Sequence, residues 1–162
     1  MTIATYSPED VIILLGGVYQ IEGLYEGSFV TISEEGKRWE TSVTADGRVS
    51  RTHINSPIHS VSLTLMSTAS ANTVFSAWAS ADGLLFGAMI PLMIKDSMGT
   101  SVFYAPMSWI EEVPESSFDV DVGERVWSLK TAGAVYTIGG NEGSGTDIAS
   151  LGLIGADIAG LL

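Results

Sequence analysis

The sequence contains no cysteine. Disulfide frameworks, thiolate zinc sites, iron–sulfur sites and cysteine nucleophiles are therefore excluded, because each is built on a thiol; the redox compartment stays open. Cations are scarce too: seven Lys and Arg stand against 19 Asp and Glu, a net charge of -12 over 162 residues. Gripping nucleic acid and docking on an anionic membrane both draw on clustered Lys and Arg, so this charge argues against either. Long apolar runs are missing. Val11–Leu15 stops at Gly16-Gly17, and the apolar C-terminal stretch is broken by Gly152, Gly155, Asp157 and Gly160; neither reaches the roughly 20 residues of a membrane span. The opening MTIATYSPED has no basic leader region, so synthesis in the cytosol without a membrane anchor is expected.

Catalytic signatures are equally thin. His53 and His59 are the only histidines; their spacing does not match the helical HExxH pair, and surface or turn positions are expected for both. Asp119, Asp121 and Glu124 around Gly123 make only part of a calcium loop. Gly143, Gly145 and Asp147 give one unrepeated fragment of a glycine-rich repeat. Glu111-Glu112 is one acidic pair among 19 carboxylates and carries no specificity. The expectation is a protein that is not an enzyme, with no cofactor, no metal and no catalytic residue.

Hydrophobic residues make up 46% of the chain and charged ones only 16%, against about 25% charged in an ordinary soluble domain. Such a chain folds, and its charge-poor surface predicts burial in an assembly. Most of it reads as short strands of period two. Trp39, Thr41 and Val43 alternate with Glu40, Ser42 and Thr44 up to Ala45-Asp46-Gly47, and Asp-Gly between alternating runs predicts one hairpin over residues 37–54. Further strands are expected at Val61–Leu65, Ala88–Lys95, Thr100–Ala105, Ser108–Val113, Ser117–Val122, Glu124–Thr131 and Val135–Ile138. Within Ser117–Val122, Phe118, Val120 and Val122 would point one way and Asp119 and Asp121 the other. One helix is expected over SANTVFSAWASADG, with Val74, Phe75 and Trp78 at helical spacing, Ser67-Thr68 as candidate caps and Gly83 as its left-handed C-terminal cap. The fold class is therefore mainly β: an antiparallel β-sandwich or barrel with one flanking α-helix.

The composition changes near residue 140, which divides the chain into a β domain over 1–140 and a tail over 141–162. GGNEGSGTD is a Gly- and Ser-rich linker, and IASLGLIGADIAGLL cannot fold alone. Ile148, Leu151, Gly155, Ile158 and Leu162 fall near one helical face, so Ile148, Leu151, Ile158 and Leu162 are candidate contacts of an arm docked on the same or a neighbouring subunit, with a frayed terminus as the alternative.

Three segments decide between structural readings: YSPEDVIILLGGVYQIEGLYEGSFVTIS, SRTHINSPIHSVSLTLMSTASANTVFSAW and PLMIKDSMGTSVFYAPMSWIEEVPESSFDVDVGERVWSLKTAGAVYTIGGN. Together they resemble the tail tube proteins of contractile-tailed bacteriophages, a group many of whose members are known only as phage structural proteins. The resemblance spans Tyr6 to Asn141. It implies hexameric rings whose inner sheets join into one continuous barrel, stacked head to tail into a tube. It also implies a virion tail location after assembly in the host cytoplasm. The implied partners are other copies of the chain, the sheath protein, and the baseplate and tail terminator proteins, with the tape measure protein and then DNA passing through the lumen without tight binding.

Under that resemblance the charge gains a purpose, since an anionic wall repels phosphates and a basic wall would trap them. Asp119 and Asp121, then Glu40 and Asp46, are the candidates to face the lumen; the alternative places these acids on the outer surface. The hairpin, with Trp39, Val43, Gly47 and Arg48, is the candidate contact to an adjacent ring. Two other readings stay open: a carbohydrate- or receptor-binding sandwich using Trp39, Trp78, Trp109 and Trp127 as stacking platforms, and a tube-like baseplate component of the same fold.

Overall fold

A computed structural model describes residues 6–140. A 3-10 turn at Pro8–Asp10 leads into β1 (Val11–Leu15), then β2 (Tyr19–Gln20), β3 (Val30–Glu34), β4 (Trp39–Val43), β5 (Val49–His53) and β6 (Ile58–Met66). The helix α1 (Ala71–Leu85) follows, and β7 (Ile90–Asp96), β8 (Val102–Glu112), β9 (Glu124–Ala132) and β10 (Val135–Thr137) complete the described chain. The main sheet runs β2-β1-β7-β8-β9-β6-β3, with β10 also on β8, while β4 and β5 form a separate two-stranded ribbon. Every pairing is antiparallel. The mainly β, one-helix reading therefore holds for the described residues. The sheet does not close on itself there, and ends in free edges at β2 and β3.

One apolar cluster unites distant strands: Ile13 and Leu15 of β1, Val61, Leu63 and Leu65 of β6, Leu92, Phe103, Trp127 and Leu129 are all buried together. Residues 21–29 show how the sheet folds over this core. Ile21 N–H donates to Ile13 of β1 (2.9 Å), whereas Tyr25 N–H donates to Thr64 of β6 (3.0 Å) and Thr64 N–H to Phe29 (2.8 Å). The crossing thus ties early and late strands together at one end.

The period-two reading is right where a strand has a partner. In β6 the residues His59, Val61, Leu63 and Leu65 are buried and Ser60 and Ser62 face outward, as one covered sheet face requires. Two segments differ from expectation. The runs Thr100–Ala105 and Ser108–Val113 are one strand, β8, which continues through Pro106 because the proline lies within a register shift against β7, where no ladder hydrogen bond is required. Ser117–Val122 is not a strand. It is irregular chain between β8 and β9, and its alternation finds no partner strand inside the described subunit.

The helix also departs at its end. Gly83 lies inside α1, and the left-handed cap is Phe86, at φ 50°. Phe86 N–H donates to the Asp82 carbonyl (2.9 Å), and the Asp82 carboxylate accepts Ala88 N–H (3.0 Å). These bonds hold the aspartate side chain to the outgoing loop and carry the helix two residues past the glycine. At the other end the cap position is Ser70, without a side-chain cap bond. Phe75 and Trp78 supply the face buried on the sheet, Phe75 edge-on to Trp127 with ring centroids 5.2 Å apart.

Candidate functional site

The β4–β5 ribbon carries all the candidate inter-ring residues. Its register pairs Trp39 with His53, Thr41 with Arg51 and Val43 with Val49, so these six share one face and Glu40, Ser42, Ser50 and Thr52 share the other. The Asp46-Gly47 signal makes the turn: Gly47 adopts φ 84°, its N–H donates to Thr44 (2.9 Å), and Thr44 N–H donates to Arg48 (2.9 Å). Arg48 pairs with Asp46 (3.2 Å). The Thr44 hydroxyl donates to the Asp46 carboxylate; chiefly for that reason, helped by the Arg48 backbone, the Asp46 carboxyl is held below the ordinary aspartate range.

Along the ribbon, Arg51 lies 3.9 Å over the Trp39 ring and His53 packs on the same indole, centroids 4.7 Å apart. All ten strand residues are nevertheless exposed, including Val43 and Val49. An isolated two-stranded ribbon is marginal in water. This one presents an apolar, aromatic face with no cover among the described residues.

Of the candidate lumen acids, Asp46 sits at the ribbon tip beside Arg48, and Glu40 lies on the polar face opposite Trp39 and Val43. Asp119 and Asp121 are exposed, but in the irregular 113–123 segment, where Asp119 accepts the Val120 N–H (2.8 Å). Phe118 and Val120, expected on a covered face, are 93% and 99% exposed. The structure therefore brings Asp46 and Arg48 together and leaves Glu40 and the 119/121 pair on separate elements. The tail candidates Ile148, Leu151, Ile158 and Leu162 lie outside the described residues.

Two features escape the sequence reading. His59 is buried rather than on the surface, 5% exposed, packed edge-on against Phe103 and Tyr136, with no hydrogen-bond partner on either ring nitrogen. Its place in an alternating run, at a position facing the core, was the available signal. The second is a hydroxyl-rich outer face where β3, β6 and β9 adjoin. Thr31 pairs with Ser62, and Ser33 with Ser60; Ser62 pairs with Ser128, and Ser60 with Lys130. Lys130 donates to Ser60 (2.8 Å), Ser60 to Glu35 (2.9 Å), and Lys130 and Glu35 form an ion pair. Glu111 and Glu112 border the same shallow groove, of about 210 Å³. Among the described residues no group of His, Asp and Glu is arranged to hold a metal ion.

Taken from strand order outward, the architecture is matched by solved structures. A chain of the sheath–tube complex of an extracellular contractile injection system in its extended state superposes with a TM-score of 0.60, over 82% of this chain and 91% of that one, at 13% identity. The chain shares the fold of that component. A chain of the tube-terminating cap of the anti-feeding prophage has the same fold at a TM-score of 0.55, over 83% of this chain and 94% of that one, again at 13% identity. In sequence, the chain is 23% identical over 146 residues to structural protein ORF10 of Pseudomonas phage KPP10, covering 86% of this chain and 84% of that protein. No family profile matches. The sequence relative is a phage structural protein and the structural matches are components of contractile tube assemblies, so the resemblance read from the sequence holds at the level of the fold.

Proposed function

We propose that this protein is a structural subunit of a bacteriophage tail tube, located in the virion tail. The observation that carries the reading is the match of its strand order and helix, over most of both chains, to a component of a sheath–tube complex. In this reading copies assemble into hexameric rings, the free sheet edges at β2 and β3 are covered by neighbouring subunits, and the rings stack into a hollow tube. Covering those edges removes the unpaired backbone groups that otherwise template aggregation. The ribbon reaches the adjacent ring and buries Trp39, Val43 and Val49. The sheath, the terminator and the baseplate are the other protein partners.

The lumen conducts the tape measure protein and then DNA. With a net charge of -12, the wall repels phosphates and leaves mobile counterions at the interface. Asp119 and Asp121 are the leading lumen residues and Glu40 the next. Asp46 contributes less net charge because Arg48 neutralises it at 3.2 Å. The hydroxyl-rich face of β3, β6 and β9 suits the same duty, since its only cation, Lys130, is already paired with Glu35.

The reading as a sugar- or receptor-binding sandwich loses its platforms: Trp78 and Trp127 are buried in the core and only Trp39 is well exposed. A tube-like baseplate component has the same surfaces and differs in copy number. Electron microscopy of the purified protein tests the main reading. Hollow rings or tubes with sixfold end views are expected; a protein that stays a featureless monomer at high concentration overturns it. A ring reconstruction with Asp119 and Asp121 on its outer surface would reject the lumen assignment alone.

A further inference from the structure

Among the described residues, the core is open to solvent beside the edge strand β3. Val30 and Ile32 of the edge strand β3 face Val11, Phe103 and Tyr136 across an apolar groove of about 180 Å³, with Asp96 as its single charged lining residue. Phe103 belongs to the central cluster and Val11, Val30, Ile32 and Tyr136 pack against it, so the groove opens onto the core. Its volume is several times that of a water molecule, about 30 Å³, and suits one or two aliphatic side chains.

The described chain ends at its rim. Ser101, a groove-lining residue, donates its hydroxyl to the Gly139 carbonyl (3.1 Å) and accepts the Gly139 N–H (3.0 Å). Thr100 bonds the Gly140 carbonyl through its N–H (3.3 Å) and its hydroxyl (3.2 Å). Gly139 is packed so closely that a Cβ there would stand 2.7 Å from the Thr100 Cβ and 2.8 Å from its carbonyl carbon. Only glycine fits, and the exit point of the chain is fixed.

Beyond that exit the sequence supplies the polar spacer Asn141 to Asp147, then Ile148, Leu151, Leu153, Ile154 and Ile158 with Asp157 as the lone charged residue among them. An extended chain covers up to about 3.5 Å per residue, so a spacer starting at the rim reaches every part of the groove. We propose that the segment 148–162 docks in this groove on its own subunit, inserting Ile148 and Leu151 between β3 and the β8–β10 side and completing the core. Tethering favours a segment of this chain over a second copy, and although Tyr6, where the described chain begins, also lines the groove, the residues before it, Met1 to Thr5, offer only two large apolar side chains against at least five in the C-terminal segment. A short flexible linker holds its segment at an effective millimolar concentration, which outcompetes a second copy at ordinary protein concentrations. The proposal does not depend on the tube reading.

The cysteine-free sequence allows a direct test in the full-length chain. Ile32→Cys is paired with Leu151→Cys, oxidised, digested and read by mass spectrometry, alongside a second anchor, Val30→Cys, and a control pair of Val120→Cys with Leu151→Cys. The expected result is a linked peptide from monomeric protein at tenfold or greater yield over the control, for at least one anchor. Links found only in covalent dimers, or yields equal to the control, overturn the proposal. So does a pair of Ile3→Cys with Ile32→Cys that links in preference to the tail, since it assigns the groove to the N-terminal residues. Independently, the combined Ile148→Ser, Leu151→Ser and Ile154→Ser variant should raise binding of an apolar dye at least threefold with unchanged far-UV circular dichroism; an unchanged dye signal contradicts the docking.

Discussion

Trp127 donates its indole N–H to the side-chain carbonyl of Asn72 across 2.9 Å, inside the core and 55 residues away in sequence. Asn72 spends its own N–H groups on the carbonyls of Met66 (2.8 Å) and Ala69 (3.0 Å), so one buried amide ties the start of α1 to the end of β6 and to the centre of β9. Removing one member of such a network leaves desolvated partners, at about 1–3 kcal/mol for each unsatisfied group. Asn72→Ala should therefore lower unfolding stability by about 2–4 kcal/mol, and Trp127→Phe, which orphans one acceptor and also leaves a void where a fully buried indole stood, by a comparable amount. Urea denaturation of the two variants and their double mutant measures it, with a coupling energy near zero as the contrary result.

His59 predicts the opposite sign. Both ring nitrogens are buried without partners, and a buried polar group in that condition opposes folding by roughly 1–3 kcal/mol. His59→Leu should leave stability unchanged or raise it by about 1 kcal/mol, as read from the denaturant midpoint. A loss above about 1 kcal/mol would mean that the imidazole is satisfied by a water or by packing that leucine cannot reproduce.

Phe86 occupies the left-handed region at φ 50° while 91% exposed. A non-glycine residue there costs about 1 kcal/mol, and the exposed ring recovers none of it inside the subunit. Phe86→Gly should stabilise the unassembled chain by up to about 1 kcal/mol in thermal unfolding. A destabilised variant would show that the ring packs within the monomer.

Acid should loosen the ribbon tip. The Thr44 hydroxyl holds Asp46 below its ordinary range, and a carboxyl with a depressed folded value stabilises above its unfolded value and loses that contribution as pH falls through the folded one. The Asp46 titration followed by carboxyl NMR should move upward in Thr44→Ala. An unmoved Asp46 titration removes the hydroxyl as its cause.

Ribbon substitutions should separate folding from assembly. Trp39, Val43 and Val49 are exposed in the subunit, so Val43→Asp should change monomer stability by less than about 0.5 kcal/mol, as surface substitutions do, yet abolish tube formation seen by electron microscopy. Tubes of normal length from this variant would exclude the ribbon as a ring-to-ring contact.

What was legible in the sequence follows from how local each determinant is. The ribbon was, because Asp46-Gly47 sets its turn by backbone conformation alone. The helix face was too, since Phe75 and Trp78 repeat at its own period, but its end was not: the Asp82 carboxylate reaching Ala88 outweighs the glycine at 83. Val11–Leu15 shows no alternation in residue type, since all five are apolar, although only Ile13 and Leu15 are fully buried, so its strand character showed only in the ladder. At 118–122 alternation was present without a strand, since a period of two says which face a residue prefers and nothing about who pairs with it. Of the candidate site, the hairpin that carries Trp39, Val43, Gly47 and Arg48 was readable from its pattern. The hydroxyl face of Ser60, Ser62 and Ser128 was not, because it forms only when three sequence-distant strands are laid side by side.

The ribbon shares no ladder with the main sheet. Its root is two short stretches, Gly36-Lys37 and Asn55 to Pro57, between the last main-sheet bond, Glu35 to Ile58 (3.0 Å), and the first ribbon bond, Ile54 to Arg38 (2.8 Å); Gly36 there has φ 83°, and only the exposed ion pair of Arg38 with Glu34 of β3 (2.7 Å) spans it, a contact of the kind that contributes little in water. A sideways load on the tip therefore meets a soft root before it meets a stiff body. The ribbon can tilt as a unit without breaking a strand pair, so a column joined through such ribbons would flex at its joints while each building block keeps its shape.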